Sequence, residues 1–246
     1  METKELKNPP KSVALKLLAF NTNAKTSKSD KESDKYFTAI LYLAPFNLSG
    51  FQVCPSADLA KCHKACLNSA GRGKFSNVQK ARLRKTRYYM QDRESFLHDL
   101  RSDLRKFSEF CAKHGRKPAV RLNGTSDLNW LALIKEFPKI FFYDYTKNLS
   151  DSFLCKATKV KNYNLTLSYS QASWGYAKKC KRQSQKYGLN MAVVYRGKSF
   201  DQLSENFPNA IDGDKTDLRF TDLFGPVFLK AKGKAKKDLS GFVIDL

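Results

Sequence analysis

The sequence predicts an α/β fold built from parallel βα units, arranged as a partial or complete TIM-like barrel or as a doubly wound sheet. Three observations carry this prediction. Short β-branched and aromatic runs alternate with amphipathic stretches from residue 36 onward. One run, Met191 to Tyr195, is apolar at nearly every position, as befits a strand covered on both faces. Polar residues gather directly after successive runs, where parallel α/β folds carry their functional rim. In 246 residues no Pro/Gly/Ser-rich linker divides the chain, so a polar tail at 1–11 and one α/β domain at 12–246 are expected.

Taken in order, Val13 to Phe20 reads as a small docked element and Thr22 to Lys35 as a flexible polar segment. Tyr36 to Ala44 is the first strand, stopped by Pro45, and a cysteine loop at 51–73 follows its end. Ser76-Asn77-Val78-Gln79 has the form of a capping box opening a basic helix to about Met90. Asp92 caps a second helix, in which Phe96, Leu100, Leu104, Phe107 and Cys111 fall on one stripe, making Cys111 a core residue. Ala119 to Leu122 is a strand, turning through Asn123–Asp127 into a helix with Trp130, Leu133 and Ile134. Strands are expected at Ile140–Tyr143 and Tyr163–Leu167, then a helix at Gln171–Tyr187 closed by Gly188, then the strand Met191–Tyr195. Asn209–Ile211 and Val227–Leu229 complete the series.

Three of the six cysteines, Cys54, Cys62 and Cys66, fall in one short stretch. On a helix Cys62 and Cys66 would share a face, and Cys54 could fold back over Pro55 to meet them. Converging thiolates suit a soft metal, and three of them leave a four-coordinate metal or one iron of a cluster with an open position. The competing readings are a zinc completed by His63, a disulfide, and ordinary buried cysteines. Neither a secretory signal nor a membrane span is visible, so a cytoplasmic location with reduced thiols is expected.

The predicted rim carries Asn123, Ser126, Asp127, Asp144, Lys147, Ser168, Ser170, Asp212, Asp214, Asp217 and Lys230. Asn123, Ser126, Asp144, Lys147, Ser168, Ser170 and Lys230 are candidates to hold a polar cofactor, and Asp127, Asp212 and Asp214 to orient it or move protons. The plainer readings make Asp127 and Ser170 helix N-caps, Asp212-Gly213-Asp214 a tight turn, and Asp144 and Lys147 partners of each other. Right-handed βα units place every strand's C-terminal end on one side, so this set and the cysteine loop should open on one pocket. The three histidines, His63, His98 and His114, supply no nucleophile triad, and His114 reads as a helix-end residue. No phosphate loop of the Gly-x-x-x-x-Gly-Lys-Ser/Thr type is present, and Gly71-Arg72-Gly73 alone is a weak anion signal.

Lysine and arginine number 45 against 23 acidic residues, a net charge of +22. Such an excess serves solubility or answers to a polyanion, and its clustering at Lys74–Arg87, Lys178–Lys186 and Lys230–Lys237 favours nucleic acid as partner.

The run Leu43-Ala44-Pro45 to Ser49-Gly50, then Val53-Cys54-Pro55, Cys62, Cys66-Leu67, Ala70-Gly71-Arg72 and Lys85-Thr86-Arg87, resembles the bacteriophage gene product 88 domain family. Val120 to Asp127, Tyr143 to Lys147, Asn162-Tyr163 with Thr166, Asp212-Gly213-Asp214 with Asp217, and Ala231-Lys232-Gly233 with Asp238 and Gly241-Phe242-Val243 extend it. The resemblance implies a phage or mobile-element protein. A cysteine loop after the first strand of a βα series also looks like the layout of radical S-adenosylmethionine enzymes, although their usual Cys-x-x-x-Cys-x-x-Cys spacing is absent. That likeness implies a 4Fe-4S cluster on Cys54, Cys62 and Cys66, with S-adenosylmethionine as a candidate cofactor. Two functions are thus in play. One is a cluster-dependent enzyme acting on nucleic acid or a nucleotide; the other is a non-enzymatic nucleic-acid-binding phage protein with a zinc-braced loop. Carboxylates after successive strands favour the enzyme, since they repel phosphate.

Overall fold

The computed structural model describes residues 13–20, 35–197 and 199–246. The expected tail at 1–11 and nearly all of the segment from Thr22 to Lys35 lie outside the described residues. The chain folds as a mixed α/β structure around one mostly parallel sheet of nine strands. Its strands are β1 (Leu18–Ala19), β2 (Tyr36–Leu41), β3 (Lys117–Arg121), β4 (Phe141–Thr146), β5 (Tyr163–Ser168) and β6 (Met191–Arg196), followed by β7 (Ile211–Asp212), β8 (Pro226–Lys230) and β9 (Val243–Asp245). They lie in the order β1-β2-β3-β4-β5-β6-β8-β7, with β9 also on β6, and only β1 runs antiparallel.

This sequential order corrects one expectation. A doubly wound sheet reverses its order at a switch point, whereas β2 to β6 advance without reversal. Right-handed crossovers in such an order put the connecting helices on one face. Those helices are α1 (Phe46–Ser49), α2 (Ser76–Gln91), α3 (Arg93–Lys113), α4 (Leu131–Lys135), α5 (Asp151–Ala157), α6 (Trp174–Tyr187) and α7 (Phe200–Asn206). The hydrogen-bonded path is open, with no pairing between the edge strands β1 and β7 among the described residues, so a complete barrel is not what these pairings form.

The period-two alternation of the strands separates two chemistries. Ala39, Leu41, Val120, Phe142, Leu165, Leu167 and Val193 join helix residues Leu100, Leu104, Phe107, Ile134, Leu154 and Cys180 in one core. Alternate positions carry Thr38, Arg121, Tyr143, Tyr145, Thr166 and Ser168, buried although polar or amphipathic. Part of this second face is closed by 217–220. Leu218 packs with Ala119 and Tyr143, and the Phe220 ring stacks on Phe141 with centroids 5.4 Å apart.

The long helices follow their sequence signals, with differences at the ends. Asp92 caps α3 by accepting from the Ser95 N–H at 3.0 Å, and Phe96, Leu100, Leu104, Phe107 and Cys111 are all fully buried. Helix α6 ends on Gly188 in the left-handed region, φ 62°. Its cap is Ser173 rather than Ser170, whose Oγ donates to the Ala60 carbonyl instead, while the Gln171 N–H donates to the Gly241 carbonyl of the C-terminal segment. Ser76 is the first residue of α2 rather than its cap; Phe75 holds that position with no side-chain bond. Asp127 caps nothing, since α4 starts only at Leu131. No described helix is long and apolar enough to cross a membrane.

Candidate functional site

A cavity of about 410 Å³ opens beyond the C-terminal halves of the parallel strands, with Phe46 of α1 among the residues that line it. Arg121 and Asn123 reach it from the end of β3, Tyr145 and Lys147 from β4, Ser168 from β5, Ala192 and Val194 from β6, and Leu229 and Lys230 from β8. Cys54, Cys62 and Cys66 all line the same space from the loop after β2. Ala57, Ala65, Val194, Leu229 and Phe242 supply an apolar wall. Its size and its mixture of apolar wall and converging polar groups are those of a small-ligand site.

The cysteine loop reaches this position by a path the spacing does not predict. Residues 55–65 form successive turns instead of a helix, and Lys61 sits at φ 54°, which breaks any helical run between Cys54 and Cys66. Side chains from the sheet rim anchor the loop. Ser170 Oγ donates to the Ala60 carbonyl at 2.8 Å, Ser240 Oγ to the Lys61 carbonyl at 3.3 Å, and the Asp127 N–H to the Val53 carbonyl at 2.8 Å. His63 lies against Asp58, Nδ1 to Oδ1 at 3.2 Å.

Two of the three thiols face backbone carbonyls in this arrangement. Cys54 Sγ lies 3.8 Å from the Thr125 carbonyl and Cys62 Sγ 3.7 Å from that of Ala57. Burial pushes the Cys54 thiol up to about 12 and raises that of Cys62, with Lys147 the main group pulling the other way in both. Burial works against the Lys147 charge, but Cys62, Asp127, Cys54 and Cys66 together outweigh it and keep the ammonium protonated beyond the ordinary lysine range. Lys147 therefore stands within electrostatic reach of all three sulfurs. Among the described residues no three of His, Cys, Asp and Glu form a group that could hold a single metal ion.

Of the predicted site residues, Cys54, Cys62, Cys66, Asn123, Ser126, Lys147, Ser168, Asp214 and Lys230 meet at the cavity, and Asp127, Asp144, Ser170 and Asp212 do not line it. The Asn123 side chain knots its own loop: Oδ1 accepts from Ser126 Oγ (2.8 Å), the Leu128 N–H (2.9 Å) and Trp130 Nε1 (3.1 Å), while Nδ2 donates to the Leu128 carbonyl (3.0 Å). Asp127 Oδ2 accepts from the Lys147 N–H at 2.8 Å, and Ser170 is the anchor already described. Asp212 closes a turn by accepting from the Asp214 N–H at 2.9 Å; Asp214 accepts from the Lys230 N–H at 2.9 Å and pairs with Lys232. Sequence reasoning did not single out Arg121. It is 5% exposed, Nη1 meets Asp217 Oδ2 at 3.4 Å, and its guanidinium lies 4.6 Å from the Tyr145 ring centroid. A charged residue between Val120 and Leu122 in a buried strand was the available signal.

Asp144 does not pair with Lys147. It is fully buried, accepting from the Asn123 N–H at 2.7 Å and from Tyr163 Oη at 3.3 Å, and burial pushes its carboxyl up to about 7 despite those bonds. Between about pH 4 and about pH 7 the unfolded chain has lost this proton while the folded chain keeps it, so stability falls as pH rises through that window. The slope from this one group is at most about 1.4 kcal/mol per pH unit. Asp144→Asn is expected to flatten it, leaving the urea midpoint near pH 4 unchanged and raising it near pH 8. Parallel midpoint-versus-pH curves for the two proteins would show that Asp144 ionises normally.

An open, sequentially ordered α/β sheet with a cysteine-lined cavity at its strand ends defines the structural class. The chain belongs to the gene product 88 family, whose family model matches residues 15–246. No curated protein and no solved structure matches the chain. No match links it to radical S-adenosylmethionine enzymes.

Proposed function

We propose that the chain is a phage cluster-dependent enzyme of the host cytoplasm, with a 4Fe-4S cluster on Cys54, Cys62 and Cys66 and a nucleic acid or nucleotide as substrate. The observation that carries this reading is the convergence of all three cysteines on one cavity together with Lys147 and strand-end polar groups. The donor set is all-thiol, the kind that iron–sulfur clusters take. Sequential parallel strands with helices on one face also fit a partial barrel, whose strand ends are the usual seat of chemistry.

A 4Fe-4S cluster held by Cys54, Cys62 and Cys66 would supply one-electron chemistry. The chain's own groups do the rest. Lys147 offsets negative charge among the thiolates, and Asp127 fixes the backbone that carries it. Ser168 and Lys230 offer polar atoms to a ligand such as S-adenosylmethionine, with Ser126 tied to Asn123 beside them. Asp214, bridged to Lys230 and Lys232, is the best placed of the three candidate proton-handling carboxylates; Asp127 and Asp212 act through the backbone they hold. The test is the iron, sulfide and zinc content of protein purified without oxygen, where roughly four irons with matching sulfide are expected. One zinc without sulfide would replace this reading by the zinc-braced binding protein.

A further inference from the structure

One edge of the cavity mouth combines cations with exposed apolar side chains. The short turns Leu67–Ser69 and Gly233–Lys237, far apart in sequence, pack against each other there, with Leu67, Lys232 and Ala235 lining the cavity, and Gly71–Lys74 follows directly in the chain. The Lys234 N–H donates to Ser69 Oγ at 3.3 Å, and a Cβ on Gly233 would stand 2.9 Å from the Ser69 carbonyl oxygen. The third basic run thus packs on the stretch that leads into the first, and Lys74, Lys234, Lys236 and Lys237 are all exposed. Phe46 is 58% exposed, Leu67 49% and Phe75 50%. Phe46 and Leu67 line the cavity itself, and Phe75 directly follows Lys74. Helix α2, which begins at Ser76 just after Phe75, is tied to the segment before α1 by the Ala44 N–H donating to Thr86 Oγ1 at 2.8 Å. Exposed aromatic rings at a cation-rich edge match what an unpaired nucleotide strand needs.

We infer that this edge docks a single-stranded nucleic acid, its bases stacking on Phe46 and Phe75 and its phosphates meeting Lys74 and Lys234, so that one nucleotide is presented to the cavity. The inference rests on the nucleic-acid part of the proposed function and not on the cluster. The net charge of +22 supplies the complementary attraction. A duplex keeps its bases stacked internally and offers exposed rings nothing, so preference for a single strand separates this site from general polyanion attraction. The rival surface is α6, which carries Trp174 at 79% exposure and the third basic run. It lies in the helix layer, its Lys186 pairs with Asp151, and its Lys181 lies 5.8 Å from the Tyr169 ring centroid. None of its residues lines the cavity.

The test is fluorescence anisotropy on the full chain with a labelled oligothymidylate of roughly 20 nucleotides, longer than one such site, an oligouridylate of equal length, and a duplex of equal length. A single strand is expected to bind at low salt at least tenfold tighter than the duplex; binding by either the deoxy or the ribo strand meets the expectation, and their ratio reports the sugar. Phe46→Ala and Phe75→Ala should each weaken binding roughly tenfold with the salt slope unchanged. Lys74→Gln and Lys234→Gln should each lower the slope by about one. All four side chains are exposed, so the melting temperature should not move. No binding at low salt, equal affinity for duplex, or loss with Trp174→Ala and Lys178→Gln in place of the Phe variants overturns the inference. Iron content is read on the same preparations. Strand binding by iron-free protein leaves this inference standing and removes the cluster, whereas a full cluster without strand binding does the reverse.

Discussion

Asp103→Ala is expected to destabilise the protein by about 3 kcal/mol or more, the largest single loss available outside the apolar core. Asp103 is 1% exposed and sits on α3 between Leu100 and Leu104, on the face turned to the sheet. Its carboxylate accepts three backbone N–H groups, from Lys16 at 3.0 Å, Leu17 at 2.6 Å and Leu18 at 3.0 Å. Those donors lead into β1, so one side chain fixes the antiparallel edge of the sheet. Alanine would leave the three donors unsatisfied at about 1 to 3 kcal/mol each, less whatever water reaches them. It would also remove support for Lys85, whose ammonium donates to the Leu17 carbonyl and which burial pulls down to about 8 against the attraction of Asp103. Asp103→Asn keeps an acceptor oxygen but not the charge, and should fall between. Urea unfolding of the three proteins measures this, with faster amide exchange at Leu17 and Leu18 as the local sign. A loss under about 1 kcal/mol for the alanine variant would mean that water takes over the carboxylate's work.

What the sequence made legible follows from which interactions are local. The stripe of α3, the Asp92 cap, the Gly188 stop and the five parallel strands β2 to β6 are written in periodicity and turn chemistry, and each appears within a few residues of its expected place. The fate of a polar side chain was not legible in the same way. Asp127 and Ser170 have the residue types and positions of site groups, yet each is engaged in holding a backbone segment that arrives from elsewhere, whereas Asp212 closes the local turn that its Asp-Gly-Asp pattern allowed. Ser170 reaches across 110 positions to the Ala60 carbonyl, a pairing no local pattern encodes. The basic run from Lys74 to Arg87 shows the same limit. Arg82 turns inward to Asn68 Oδ1 and the Tyr42 ring and Lys85 to the Leu17 carbonyl, while Lys80, Arg84 and Arg87 stay exposed, so charge counted along the chain overstates charge available at the surface. The cysteine loop was located correctly but shaped wrongly. On a helix Cys62 and Cys66 would share a face with Cys54 folding back over Pro55, whereas residues 55–65 run through turns, with Lys61 at positive φ, that still bring all three thiols to one cavity.

The second large effect is expected at those thiols. Cys54→Ala, Cys62→Ala and Cys66→Ala should each reduce bound iron from roughly four per chain to below one, because a cluster held at only two points loses its attachment to the protein. Cys111→Ala and Cys180→Ala should leave iron content intact and instead cost stability, since both side chains are fully buried in the helix-side core, away from the cavity. Loading should also depend on pH in a stated direction. Burial holds the Cys54 thiol near 12 and raises that of Cys62, so binding must displace protons, and affinity rises with pH throughout the range in which the protein is handled. Reconstitution with ferrous iron and sulfide under argon should therefore be more complete at pH 9 than at pH 7, and poorest near pH 6. Lys147→Met tests the same electrostatics from the other side. Removing the cation beside the three sulfurs should shift this loading curve to higher pH and lower the cluster's reduction potential, while Lys147→Arg, which keeps the charge, should retain most of both. Equal iron content across the three cysteine variants, or a loading curve flat from pH 6 to pH 9, would show that these thiols are not the ligands.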